Sequence, residues 1–234
     1  SLIQETDDRV RPVVGDGATL VVTTDYQVHL VREQLPQSAI IAEPSARNTA
    51  ACIGTAAMTI LKQVGDVPMI CLPADHMIWR PEVLQARYRL ACEIASKEAT
   101  LLTIGIPPTA PETGYGYIES GEERAPGVCQ VKKFYEKPDL NRARKFLASG
   151  TYLWNSGMFI WRPSVLLQAL KEFQPELFSR LERLFEVAEA GGSDEELREI
   201  YASLPSISID IGVMEKAGRA GSIPVSFPHP SRGW

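Results

Sequence analysis

The first half of this sequence predicts an α/β domain, a parallel sheet with helices on both faces. Three features carry that expectation. A β-branched run, Thr-Leu-Val-Val-Thr-Thr, occupies residues 19–24. An Ala-rich stretch at 49–63 repeats its apolar positions at helical spacing. A short apolar run, Pro68-Met69-Ile70-Cys71-Leu72, stops at Pro73. Strands that alternate with helices are joined by crossovers, which make neighbouring strands parallel and cover the sheet on both sides.

The elements follow in order. Residues 19–24 form a strand, and Asp25-Tyr26 turns the chain out of it. Ile40-Ile41 is a short strand that ends at Glu43-Pro44, and 49–63 is a largely buried helix ended by Gly65. After the strand at 68–72 comes a helix over 81–97, with Pro81 in the first turn where its missing N–H costs nothing. Residues 99–106 form another strand. The second half changes character: strands at 116–120 and 131–136 are separated by a polar turn rich in Gly, Glu and Pro. A short helix at 141–148 precedes a strand at 153–161 that carries Asn155-Ser156-Gly157. Helices at 163–172, 176–189 and 194–203 follow, the last opening on Asp194-Glu195-Glu196, which complements the positive end of the helix dipole. Gly191-Gly192-Ser193 links two helices and marks no boundary, so residues 1–234 are expected to form a single domain.

Composition narrows the function classes. With 44% hydrophobic and 23% charged residues, the chain suits one globular domain with a sizeable core. A net charge of −5 without any basic run argues against a nucleic-acid partner. No run reaches transmembrane length, and Ser1-Leu2-Ile3-Gln4-Glu5-Thr6 has neither a basic n-region nor an apolar stretch; no membrane partner and a cytoplasmic location are expected. Cys52, Cys71, Cys92 and Cys129 are scattered, with no C-x-x-C pair, and read as small buried hydrophobes in a reducing compartment.

Four segments carry chemistry. Glu43-Pro44-Ser45-Ala46-Arg47-Asn48-Thr49 lies between a strand end and a helix start. Arg47 brings a fixed cation and a planar donor fork, while Asn48 or Thr49 can cap a helix whose free N–H groups attract anions. An ordinary cap with a surface Arg explains that stretch equally well. Cys71-Leu72-Pro73-Ala74-Asp75-His76 places a carboxylate beside an imidazole at the carboxyl end of a strand, where open α/β sheets bind ligands. Alone, Asp75 reads as a turn residue or helix cap; as a ligand, it would share a divalent cation with waters and phosphate oxygens. His76 reads as a satisfied polar residue.

Thr113-Gly114-Tyr115-Gly116-Tyr117-Ile118 sets two glycines around an aromatic, which either lets backbone approach a ligand or forms a β-turn. Phe134-Tyr135-Glu136-Lys137-Pro138 and Trp154-Asn155-Ser156-Gly157-Met158-Phe159 make the last constellation. Sequential Glu136 and Lys137 should project to opposite sides of a strand end. A carboxylate accepts sugar hydroxyl protons and an ammonium pairs with phosphate. Asn155 offers donor and acceptor inside an apolar strand, where polar groups need partners that a ligand would supply.

In this order, the segments resemble the motifs of the sugar-1-phosphate nucleotidyltransferases, as do Ser208-Ile209-Asp210 and Val213-Met214-Glu215-Lys216. The Arg-Asn-Thr and Trp-Asn-Ser-Gly forms point to the mannose/guanosine branch. The resemblance implies a Rossmann-like three-layer α/β/α nucleotide-diphospho-sugar transferase fold with a mixed, mostly parallel sheet. It also implies GTP and mannose 1-phosphate as substrates, GDP-mannose and pyrophosphate as products, and Mg²⁺ as cofactor. By the same resemblance, Asp75 would hold the metal, and Glu43, Pro44, Arg47 and Asn48 would line the nucleotide. Gly114, Tyr115, Gly116, Glu136 and Asn155 would face the sugar, and Lys137 would neutralise the sugar phosphate. A nucleotidyltransferase for another sugar phosphate or nucleotide, or a non-catalytic sugar-nucleotide-binding subunit, is the alternative. A homodimer is left open.

Two departures from the family pattern shape expectations. Family members begin with a strand and a Gly-rich loop carrying Gly-Thr-Arg, whereas residues 1–6 resemble the segment just after that loop, so the sheet is expected to lack its first strand. The family also has an Asp in a Trp-x-Asp-x-Gly context as a second metal ligand, whereas residues 225–234 offer no Asp there and His229 is a poor substitute. The chain as it stands is therefore expected to be a truncated and weakly active form.

Overall fold

The computed structural model describes residues 1–125, 127–217 and 223–226. In chain order the elements are α1 (Leu2–Val14), β1 (Leu20–Thr24), α2 (Val28–Gln34), β2 (Ala39–Glu43), α3 (Asn48–Gln63), β3 (Met69–Cys71), α4 (Pro81–Lys97), β4 (Leu102–Ile106), β5 (Tyr117–Ala125), β6 (Val128–Tyr135), α5 (Leu140–Ser149), β7 (Tyr152–Trp161), α6 (Pro163–Phe173), α7 (Pro175–Glu189), α8 (Asp194–Ala202), a π-helical turn at Asp210–Met214 and β8 (Ile223–Ser226).

The predicted strands and helices are present, with small shifts at their ends. Two helices were not legible. α1 buries Thr6, Asp7, Arg9 and Val10, a face too polar to register as amphipathic periodicity. α2 has only 7 residues. The hairpin is also longer than expected: β5 runs through the polar stretch Gly121 to Ala125, because its outer half is solvated while the ladder to β6 continues across register shifts.

The sheet is mixed, as expected, but most of its ladders are antiparallel. β7 lies between β3 and β4 and is antiparallel to both, so strands expected to be parallel neighbours are instead bridged by a reversed one. Strand direction still keeps the α/β sense, since β3, β4 and β5 each oppose β7 and β8 runs parallel to β4. Among the described residues, β1 and β2 form a separate parallel pair. Leu20 and Val22 of β1 nevertheless pack on the same apolar cluster as Met69 and Cys71 of β3.

Two apolar layers sandwich the six-stranded sheet. β7 serves both through its period of two: Phe159 and Trp161 enter the cluster under α3, α6 and α7, whereas Met158 and Ile160 enter the one under α1 and α4. β4 alternates likewise, sending Leu102 and Ile104 to the α4 side. Each fully buried large side chain of this kind contributes about 1.5–3 kcal/mol. A third cluster joins Tyr117, Ala143, Phe146 and Trp154, and fastens α5 beside the hairpin. Among the described residues, no helix is long and apolar enough to cross a membrane.

The chain leaves β7 and enters α6 through a long-range cap. Asp66, from the loop before β3, accepts from Ser164 N at 2.9 Å, Ser164 Oγ at 2.6 Å and Arg162 Nη1 at 2.8 Å. Asp66→Ala is expected to lower unfolding stability by about 1–2 kcal/mol, the cost of a lost helix cap. Urea denaturation checks this, and an unchanged midpoint would show that the cap is redundant.

Candidate functional site

The ends of β5, β6 and β7 meet at one corner. Gly116 O accepts the Asn155 N–H at 2.8 Å, which locks the start of β5 against β7. A Cβ on Gly116 would come within 2.7 Å of Glu136 Oε2 and 3.3 Å of Asn155 Cβ, so the bare glycine is what lets these three residues share the space. Tyr115 meets Trp154 edge to face with centroids 5.3 Å apart, and Gly114 beside it is exposed. Glu136 and Lys137 do not diverge as expected. Lys137 adopts φ of 44°, and its Nζ returns to 3.4 Å from Glu136 Oε1. The left-handed backbone at Lys137 overrides the strand alternation that predicted opposite sides, at a cost of about 1–2 kcal/mol.

Asp75 lies beyond the C-terminal end of β3. Because β7 is antiparallel to β3, with Cys71 opposite Phe159, Asn155 occupies the same end of the sheet. Pro73 is close enough that a Cβ on Gly157 would be 3.3 Å from its Cγ. The Asp75 side chain is 81% exposed, with His76 Nε2 3.8 Å from one oxygen. Burial pushes the His76 pKa below its ordinary 6.5; the Asp75 charge opposes this and Arg9 adds to it, leaving the imidazole neutral at pH 7. Arg9 ties the loop to α1: it is buried, and its Nη1 donates to His76 O at 3.3 Å and its Nη2 to Thr6 Oγ1 at 3.0 Å.

The segment from Glu43 to Thr49 is arranged differently from its simplest reading. Glu43 is only 8% exposed, and its carboxylate accepts the Tyr201 hydroxyl, so its side chain faces the interior. Pro44 is half-buried on the rim of an open groove of about 370 Å³ between β2, α3, α7 and α8, a groove that contains none of Asp75, Glu136, Lys137 or Asn155. The first amides of α3 are occupied: Thr49 N donates to Asn48 Oδ1 at 2.8 Å, and Ala50 N to Ile207 O at 3.1 Å. They do not supply the open anion site that a free helix end would offer. Ser45 Oγ and Arg47 Nε, in contrast, are buried with no hydrogen-bond partner. Asn48 takes φ of 63°, and among the described residues it and Lys137 are the non-glycine positions in the left-handed region. Strain of this kind concentrates at functional sites.

Residues 207–210 join the two halves. Ile209 N donates to Thr49 Oγ1 at 2.8 Å, and the next residue, Asp210, accepts from Asn155 Nδ2 at 2.6 Å. Glu215 lies just beyond, with Oε1 accepting the Glu136 N–H at 3.3 Å. Asp210 and Glu215 had surfaced only as parts of a motif. An Asp and a Glu flanking the apolar run Ile211-Gly212-Val213-Met214 was the available signal. Nothing in the sequence pointed to Tyr201 or Arg9 as partners of site residues.

The corner is acidic. Burial raises the Glu136 pKa above its ordinary 4.5, and the charges of Asp210 and Glu215 add to this against the pull of Lys137. Burial likewise raises Asp210 above 3.8, although the Asn155 hydrogen bond and Lys137 oppose it. Among the described residues, no group of three or more His, Cys, Asp or Glu is arranged to hold a metal ion. The candidate second-ligand tail from 227 to 234, with His229, lies outside the described residues. All four cysteines are free thiols, and burial pushes Cys52 up to about 12.

Comparison with known proteins decides the family. Residues 2–196 match the family model described as nucleotidyl transferase. The chain belongs to the nucleotidyl transferase family. It is 41% identical over 231 residues to the xanthan biosynthesis protein XanB of Xanthomonas campestris pv. campestris, covering 96% of this chain and 49% of that protein. It is 37% identical over 234 residues to a mannose-1-phosphate guanylyltransferase of Sinorhizobium fredii, covering 97% of this chain and 46% of that one. A crystal structure described as mannose-1-phosphate geranyltransferase from Thermus thermophilus superposes with a TM-score of 0.86 at 33% identity, covering 96% of this chain and 63% of that one. The chain thus spans about half the length of the curated relatives it matches. The superposition supports the α/β fold over 96% of the chain.

The raised carboxylates of this nucleotidyl transferase domain give a pH prediction. A carboxyl whose folded pKa exceeds its unfolded value stabilises the fold fully below the unfolded value, and loses that contribution as pH rises through the folded value. Glu136→Gln removes one such charge. The difference in Tm, variant minus wild type, should therefore be more positive at pH 7 than near pH 4. Calorimetric scans at the two pH values read it, and a difference independent of pH would refute the raised pKa.

Proposed function

We propose that this chain carries the nucleotidyl-transfer site of a mannose-1-phosphate guanylyltransferase, making GDP-mannose and pyrophosphate from GTP and mannose 1-phosphate. The observation that carries the proposal is the Gly116, Glu136 and Asn155 corner with the Lys137 ammonium turned back over it. A hexose presents hydroxyl groups that a carboxylate and an amide can satisfy, while its phosphate needs a cation within reach. Names carried by relatives such as the Sinorhizobium fredii protein support mannose as the sugar.

In the proposed reaction, a phosphate oxygen of mannose 1-phosphate attacks the α-phosphorus of GTP. A new P–O bond forms, the bond between the α-phosphorus and the bridging oxygen breaks, and pyrophosphate leaves with that electron pair. Little covalent chemistry is asked of the protein; its residues position the reactants and neutralise charge. Glu136 accepts from the sugar hydroxyls, Asn155 donates to one, and the backbone at Gly114, Tyr115 and Gly116 closes over the ring. Lys137 offsets the charge of the sugar phosphate. Arg47 and Ser45 offer unpartnered buried donors on the nucleotide side, beside Pro44 and Asn48. Glu43, engaged by Tyr201, contributes through its backbone.

The donor set near Asp75 fits Mg²⁺. A single exposed carboxylate oxygen donor suits an ion that keeps several waters and takes its remaining ligands from substrate phosphates. When bound there, the ion would neutralise charge on the triphosphate. Arg9 would hold the backbone of this loop in place. A cytoplasmic location belongs to this reading, since scattered free thiols suit a reducing compartment.

Pyrophosphate release by the full-length protein, supplied with GTP, mannose 1-phosphate and Mg²⁺, tests the proposal. Asp75→Asn is expected to lower the rate by about 10²-fold or more. Gly116→Ala, which pushes a methyl group into Glu136, should raise KM for mannose 1-phosphate about tenfold while KM for GTP stays within about twofold. Equal turnover by wild type and Asp75→Asn would remove Asp75 from the mechanism. An unchanged sugar KM in Gly116→Ala would remove the sugar from this corner.

A further inference from the structure

We propose that Asp210 is a positioning residue for the sugar subsite, held in register by Thr49, so that residues 207–210 set the span between the nucleotide and sugar halves of the site. The inference rests on the proposed transferase function for the identity of the ligands, but on geometry for the coupling itself.

Asn155 is the point of contact. Its Oδ1 accepts from Thr103 Oγ1 at 3.2 Å and from Gly157 N at 3.2 Å, while its Nδ2 donates to Asp210 Oδ1 at 2.6 Å. The amide therefore has one orientation. A flip would set its oxygen against the Asp210 carboxylate and its NH₂ against the Gly157 N–H, turning favourable contacts into repulsions. One amide N–H of Asn155 is then left for a ligand, in a direction that Asp210 determines. A charge-assisted bond of this kind is about twice as strong as a neutral one, so the carboxylate serves better here than an amide would.

Asp210 is in turn placed by the other half of the site. It opens a five-residue π-helical turn, a rare geometry that recurs at functional sites. Ile209 N donates to Thr49 Oγ1 at 2.8 Å, Ile207 O accepts Ala50 N at 3.1 Å, and Gln174 Nε2 holds Gly212 O at 3.0 Å. The short path from Thr49 through Ile209 and Asp210 to Asn155 thus runs through two side-chain hydrogen bonds. Among the described residues, Glu136, Lys137 and Glu215 are charged groups that act on Asp210.

The test uses the full-length protein with Asp210→Asn, Thr49→Val and Thr49→Ser, the last of which keeps the hydroxyl acceptor. Asp210→Asn and Thr49→Val should each raise KM for mannose 1-phosphate about tenfold, with Thr49→Ser close to wild type. The double variant of Asp210→Asn with Thr49→Val should be no worse than Asp210→Asn alone, because both break one path. Without any ligand, the Asn155 side-chain amide resonances in ¹⁵N NMR should move in Asp210→Asn and Thr49→Val and not in Thr49→Ser. A purely structural role would lower Tm without moving those resonances or the sugar KM. Unmoved resonances, or additive effects in the double variant, overturn the proposal. Should Asp210→Asn lose its cooperative melt, Thr49→Val and Thr49→Ser decide. If the wild-type protein makes no GDP-mannose, the transferase reading fails by itself, and the amide resonances still decide the coupling.

Discussion

The placement of β7 between β3 and β4 is the constraint from which the site follows. Its antiparallel ladders put the start of β7 at the same end of the sheet as the chain leaving β3, and this brings Asn155 and the Asp75 loop into one region. The same strand receives β5 at Trp154, which draws in Gly116. β7 can do this because it is buried on both faces: Phe159 and Trp161 are anchored in one core and Met158 and Ile160 in the other. A slip of one residue would exchange those sets and turn Asn155 away from Asp210, so core packing fixes the register of the polar residues.

Around that frame, the fold tolerates several locally unfavourable features. Lys137 and Asn48 hold left-handed backbones, Glu136 and Asp210 crowd their charges in a half-buried corner, and Ser45 and Arg47 keep buried donors unpartnered. Each of these destabilises the fold, and the two groups are tied together through residues 207–210, which meet Thr49 and Ala50 on one side and Asn155 on the other. The large apolar layers offset them. Strained backbone and unpartnered buried donors of this kind are held in place only where the surrounding packing over-determines them.

The half-length overlap with curated relatives concerns what the domain does in its own protein, while the family assignment rests on the chain itself. Glu43 illustrates how a motif can carry a position without the simplest role for its side chain. Its carboxylate faces inward to Tyr201, which pins the end of β2 against α8. The helix start at Asn48 is a parallel case: the first amides of α3 donate to Asn48 Oδ1 and Ile207 O, so they are not open to an anion.

Much of the architecture was legible because hydrophobic period and turn residues are local properties. The apolar run before Asp75, the helical spacing from 49 to 63 and the aromatic strand from 153 to 161 each appear where those patterns place them. Asn155 was legible for the same reason, as a polar residue interrupting an apolar strand, whereas Gly116 before a strand and Glu136 at a strand end drew their weight from the resemblance of their motifs. The order of strands, the mainly antiparallel pairing and the polar-faced helix α1 were not, since each depends on contacts between segments far apart in the chain. Neither was the contact of Asp210 with Asn155: a lone acidic residue carries no local sign of the amide it will meet 55 residues away along the chain. Sequence by itself determined which residues would be strand, helix or polar interruption; tertiary structure alone decided which interruptions face one another, because that choice is made by long-range packing of the two cores against β7.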